Sequence, residues 1–163
     1  MSLARLRRKY TSLGYGELAS TVVFVFVSQR FATQDGNVAL WSALVPLLLI
    51  LVQGGSYWLL ARRWVGKSSM PEHYASAFRA FQALDLIALA VGFAGVVIYF
   101  PSHAGAGWLI VGIWLFGLIE YINYFVLRLS YPIWSWLPSI RKRCLPQLVQ
   151  DMRSATSRTG PLL

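Results

Sequence analysis

Residues 106–129 read AGWLIVGIWLFGLIEYINYFVLRL, an apolar run interrupted by Glu120 and Asn123 and closed by Arg128. At about 1.5 Å per helical residue this stretch spans a hydrocarbon core of about 30 Å. A run of this length defines a membrane helix, and it sets the template for the rest of the chain. Three further stretches meet the same test, at 13–32, 38–61 and 77–100. The first is the weakest, because Glu17, Gln29 and Arg30 flank its apolar centre; it spans if Arg30 snorkels outward. The fold expected is an all-α integral membrane protein, a four-helix transmembrane bundle with an interfacial C-terminal segment.

Composition agrees. Of 163 residues, 56% are hydrophobic and 13% charged, against roughly 25% charged in soluble domains. Cys144 is the single cysteine and His73 and His103 the only histidines, so no zinc spacing occurs and no cofactor is expected. Both histidines read as loop residues, and Cys144 as an unmodified thiol.

The net charge of +9 would suggest nucleic acid in a soluble protein, but here the basic residues follow topology. Arg5, Arg7, Arg8 and Lys9 precede the first span. Arg62, Arg63, Lys67 and Arg79 surround the middle loop, and Arg128, Arg141, Lys142, Arg143, Arg153 and Arg158 end or follow the last. Only Arg30 falls on the opposite side. The positive-inside rule places both termini and the middle loop in the cytoplasm, in a plasma or inner membrane. The chain then divides into a basic N-terminal segment (1–12), the bundle (13–129) and a basic, aromatic tail (130–163). A basic start before an apolar run also resembles a signal peptide, but SQRFATQDG after Val27 lacks a small-residue cleavage pattern, which favours an uncleaved helix.

Pro46 and the QGGS stretch at 53–56 should loosen the second span. Small residues at four-residue spacing, Ala88 with Gly92 and Ala90 with Ala94, permit close helix packing. Trp58, Trp64, Trp134, Trp136 and Tyr131 fall near the basic boundary, and Trp41, Tyr99 and Trp108 near the other, as an aromatic belt. In the tail, Trp134, Trp136, Arg141, Lys142 and Arg143 suit anionic lipid headgroups. Pro132, Pro138 and Pro146 argue against one continuous helix there, and 154–163 reads as mobile.

Polar groups recur at one depth. Glu17 lies eight positions after Lys9, Gln53 nine before Arg62, Asp85 six after Arg79, and Glu120 eight before Arg128. This is about 9 to 14 Å from the basic boundary. Gln82 shares a face with Asp85, and Asn123, Tyr124 and Arg128 share one with Glu120. Intramembrane charges cost about 2.5 to 3.5 kcal/mol each on insertion scales, so they turn inward and find partners. Three readings follow: a structural network in which Arg79, Arg128, Gln53 and Asn123 satisfy the acids, a cavity facing the cytoplasm for a proton, cation or cationic molecule, or a docking site for a partner's transmembrane helix. Glu17 has a further reading, as a carboxylate complementing the dipole at the start of its helix.

No recognisable catalytic motif occurs, so an enzyme is not expected. The function expected is a non-enzymatic accessory, assembly or interaction component of a membrane complex, present as a homo-oligomer or with a larger membrane partner. The alternative is a small proton- or cation-coupled transporter using Asp85 and Glu120.

Overall fold

The computed structural model describes residues 2–31, 36–66, 69–126 and 146–156. Its elements are α1 (Leu3–Phe31), α2 (Asn37–Trp64), α3 (Glu72–Ile98), α4 (Ala104–Phe125) and a short α5 (Gln147–Thr156). The first four are long and apolar enough to cross a membrane. Even the shortest, α4 with 22 residues, reaches about 33 Å.

The boundaries differ from those expected in physically informative ways. The basic residues from Arg5 to Lys9 are not a separate segment but the first turns of α1, which runs unbroken for 29 residues. Arg, Leu and Lys are good helix formers, and nothing in 3–12 breaks the turn. α3 starts at Glu72, directly after Pro71, which places His73 in its first turn, against the Tyr74 ring, rather than in the loop. α2 ends with Arg62 and Arg63 in its last turn, where cations suit the helix dipole, and the chain then turns at Gly66 with φ +73°.

α2 is the axis of the bundle. Its buried positions recur from Ala39 to Trp64, with Leu40, Leu44, Leu47, Ile50, Leu51 and Tyr57 almost wholly enclosed. α1, α3 and α4 all pack on it, whereas α1 rests almost entirely on α2. The outward faces of the other helices stay apolar, with Val22, Phe26, Ile87, Val91, Trp108 and Ile119 exposed. In water such faces would form adhesive patches; in lipid tails they incur no such penalty.

Pro46 lies inside an unbroken α2. Lacking an N–H, it cannot donate to the Ser42 carbonyl one turn back. Gly92 of α3 packs against that carbonyl so closely that a β-carbon there would sit 2.4 Å from the oxygen. A glycine Cα–H facing a freed carbonyl gives a weak compensating contact, and Gly95 similarly admits the Ser42 hydroxyl. The Ala88 and Gly92 pair therefore faces α2, while Ala90 and Ala94 lie on the exposed side of α3.

The described part of the tail, α5, packs against α3 and α4. Leu148, Met152 and Ala155 are buried in the same core as Tyr57, Trp64 and Phe78. Apolar residues at i, i+4 and i+7 give this ten-residue helix one docking face. Ser154 to Thr156 thus belong to a packed helix, not to a mobile end. Trp134, Trp136, Arg141, Lys142 and Arg143 lie outside the described residues, as do Cys144 and Arg128.

Candidate functional site

The polar residues do meet inside the bundle, but as separate groups rather than one continuous layer. Between α2 and α3, Gln53 Nε2 donates to Asp85 Oδ1 at 2.9 Å. Asp85 is fully enclosed and Gln53 is 9% exposed. Helix spacing turns both toward the α2–α3 seam, along with the buried Leu89 and Gly92. Among the described residues, Gln53 Oε1 and Asp85 Oδ2 have no hydrogen-bond partner.

A second group joins three helices. Trp58 Nε1 on α2 donates to the Tyr124 hydroxyl at 3.2 Å, and that hydroxyl donates to Glu17 Oε1 of α1 at 2.6 Å. Gly54 makes room for it: a β-carbon there would lie 2.5 Å from the Tyr124 ring. Glu17 is therefore not a helix-start carboxylate, since α1 begins fourteen residues earlier and its side chain is held by α4. Glu120 pairs with Asn123 on its own helix, and Gln82 with Tyr121 across α3 and α4. Arg79 Nε donates to the Ala75 carbonyl of its own helix at 3.3 Å rather than to an acid.

Because α1 leans mainly on α2, a crevice opens between α1 and α4. Glu17 and Glu120 line it together with Ser12, Ser20, Leu51 and Phe116. Phe24 and Phe116 meet at 5.6 Å between ring centres and narrow the gap one to two turns further along. Among the described residues the partners of both carboxylates are neutral, Tyr124 for Glu17 and Asn123 for Glu120. Asp85 belongs instead to the enclosed α2–α3 seam.

Toward the basic end, a cavity of about 130 Å³ continues from Glu17, bounded by Lys9, Tyr57, Trp58, Tyr124 and the start of α5. The tie that keeps α5 there was not anticipated from sequence. Asp151 Oδ2 accepts from the Tyr57 hydroxyl at 2.9 Å and from Trp64 Nε1 at 3.2 Å, and Oδ1 accepts from Gln147 Nε2 at 3.0 Å. Trp64 is accordingly buried and Trp58 half-buried, so neither is a lipid-belt residue as expected, whereas Trp41, Tyr99 and Trp108 are exposed. Among the described residues no group of three or more His, Cys, Asp or Glu side chains could hold a metal ion. No protein-family model, curated protein or solved structure matches the chain.

Proposed function

We propose that the protein is a multi-pass component of a plasma or inner membrane that serves a larger membrane assembly as a non-enzymatic accessory or interaction subunit. Both termini and the middle loop face the cytoplasm in this reading, because fourteen of the fifteen basic residues lie on that side. The tail carrying Trp134, Trp136, Arg141, Lys142 and Arg143 is assigned to anionic lipid headgroups.

The observation that supports it is the crevice between α1 and α4. Glu17 and Glu120 face it with only neutral partners among the described residues. Acidic side chains at membrane depth are costly and are normally matched by a basic or strongly polar group. A neighbouring helix from a second copy or another subunit supplies such a group in the membrane plane. Mild-detergent purification should recover a stoichiometric membrane partner or a homo-oligomer, and Glu120→Gln should reduce that recovery. A wild-type chain isolated as a clean monomer with no partner would overturn the proposal.

Cation-coupled transport is the second reading, and the same crevice favours it in a modified form. Its acidic pair is Glu17 with Glu120, because Asp85 is enclosed against Gln53. Proteoliposomes should then show cation or proton flux that Glu120→Gln abolishes and Asp85→Asn spares; wild-type vesicles without flux would remove this reading.

A further inference from the structure

We propose that the cavity between α1, α2, α4 and α5 binds a small zwitterion carrying an ammonium group and a phosphate a few atoms apart, the chemistry of an aminophospholipid headgroup or of the free phosphoamine. At about 130 Å³ the cavity is close to the roughly 150 Å³ that accommodates a benzene ring in an engineered apolar core. A compact polar headgroup has that scale.

The walls divide by charge. Glu17 stands at the inner end, its Oε1 already fixed by the Tyr124 hydroxyl, so the carboxylate is oriented before any ligand arrives. Lys9 lies two helical turns away on the same face of α1, at the outer end of the lining, and is exposed. The separation along the helix is about 12 Å, and the flexible lysine stem shortens it. A plain cation would be opposed at the Lys9 end and a plain anion at the Glu17 end. A zwitterion satisfies both, with ammonium toward Glu17 and phosphate toward Lys9. Tyr57, Trp58 and Tyr124 line the space between, and aromatic walls favour an ammonium group over a hydrated metal ion.

The cavity also has two exits suited to such a ligand. Glu17 and Leu13 line both it and the α1–α4 crevice, whose far wall is Leu51 and Phe116, so a headgroup seated here has a lateral path for an acyl chain. Pro146, Gln147 and Leu148 of the tail cover the opposite side, so a soluble ligand would enter past α5.

The test uses the delipidated full-length protein in mild detergent and reads the midpoint of thermal unfolding. The additions are phosphatidylethanolamine, phosphatidylglycerol, soluble phosphoethanolamine and inorganic phosphate. Phosphatidylethanolamine or phosphoethanolamine should raise the midpoint by several degrees, while phosphate alone should not and phosphatidylglycerol, acting through the basic tail, should give at most a smaller shift that Glu17→Gln leaves unchanged. A response to the lipid only names a membrane source, and a response to the free phosphoamine names a soluble one. Glu17→Gln should abolish the response. Lys9→Gln, at an exposed site that leaves folding intact, should weaken apparent affinity about tenfold, the weight of one charge-assisted hydrogen bond. Equal shifts with phosphatidylethanolamine and phosphatidylglycerol, no shift with either amine, or an unchanged response in Lys9→Gln would each overturn the proposal. Recovery of a membrane partner is a separate readout, so the two proposals fail independently.

Discussion

Gln53 and Asp85 share a hydrogen bond of 2.9 Å across the α2–α3 seam, and each keeps one buried oxygen that has no donor among the described residues. Two acceptors left facing apolar surroundings carry a desolvation cost, which a donor placed between them would relieve. Asp85→Asn supplies that donor at nearly the same size, letting the two amides exchange hydrogen bonds in both directions. The substitution should stabilise the bundle by about 1 kcal/mol, whereas Asp85→Ala should cost about 1 to 3 kcal/mol by orphaning the Gln53 amide. Thermal unfolding in detergent would check both signs, and a destabilised Asp85→Asn would show that the carboxyl group itself is required.

The α2–α3 crossing depends on a missing side chain. A β-carbon at Gly92 would lie 2.4 Å from the Ser42 carbonyl oxygen, a backbone atom that cannot swing aside. Gly92→Ala should therefore push α3 off α2 and cost about 1 to 3 kcal/mol, the usual penalty of overpacking. Gly112 is the matched control, since nothing lies within 4 Å of its added β-carbon. Gly112→Ala should be neutral or stabilising by about 0.5 to 1 kcal/mol through helix propensity. If both variants unfold at the same point, the close approach is not a determinant of packing.

At the basic end, one carboxylate holds α5 in place. Asp151→Ala removes the acceptor shared by Tyr57 and Trp64 and should detach the helix while leaving the four spanning helices folded. Hydrogen–deuterium exchange of 147–156 should rise strongly, with exchange in α2 and α3 nearly unchanged. Uniform loss of protection across the molecule would mean that α5 is part of the main cooperative unit.

Tyr124 is the bridge between α1 and the rest of the bundle on the crevice side. Tyr124→Phe removes the donor to Glu17, and Gly54→Ala displaces the ring by placing a β-carbon 2.5 Å from it. Both should loosen α1, and together they should cost less than the sum of the two, because they remove the same contact. A double-mutant cycle on unfolding midpoints reads the coupling directly; strict additivity would separate the two residues.

The spanning helices were legible because length and apolarity are properties of a stretch, and the structure moves their ends by up to ten residues without changing their number. The inward turn of Asp85 was legible too, since a short carboxylate in an apolar helix has few other places to go. What periodicity did not resolve was partnership. Equal depth on four helices places Glu17, Gln53, Asp85 and Glu120 near one plane, but Asp85 is enclosed against Gln53 while Glu17 and Glu120 line the α1–α4 crevice. Residue spacing carries depth and face, not the angular order of helices around an axis. Asp151 was missed for a different reason: three prolines argue against one continuous helix and the tail reads as a lipid-interface segment, although Leu148, Met152 and Ala155 already marked a helical face.

The central position of α2 bears on how the molecule is made. Chains enter a membrane from the N-terminal side, so α2 follows α1 and completes a hairpin with it before α3 and α4 exist. α3 and α4 then each join a surface that is already present. Defects introduced into α2 should thus be felt during biogenesis, as failed assembly and proteolytic clearance of newly inserted chains, whereas defects confined to α3 or α4 should leave a membrane-inserted hairpin intact. The helix with the least lipid contact is the one on which the order of construction depends.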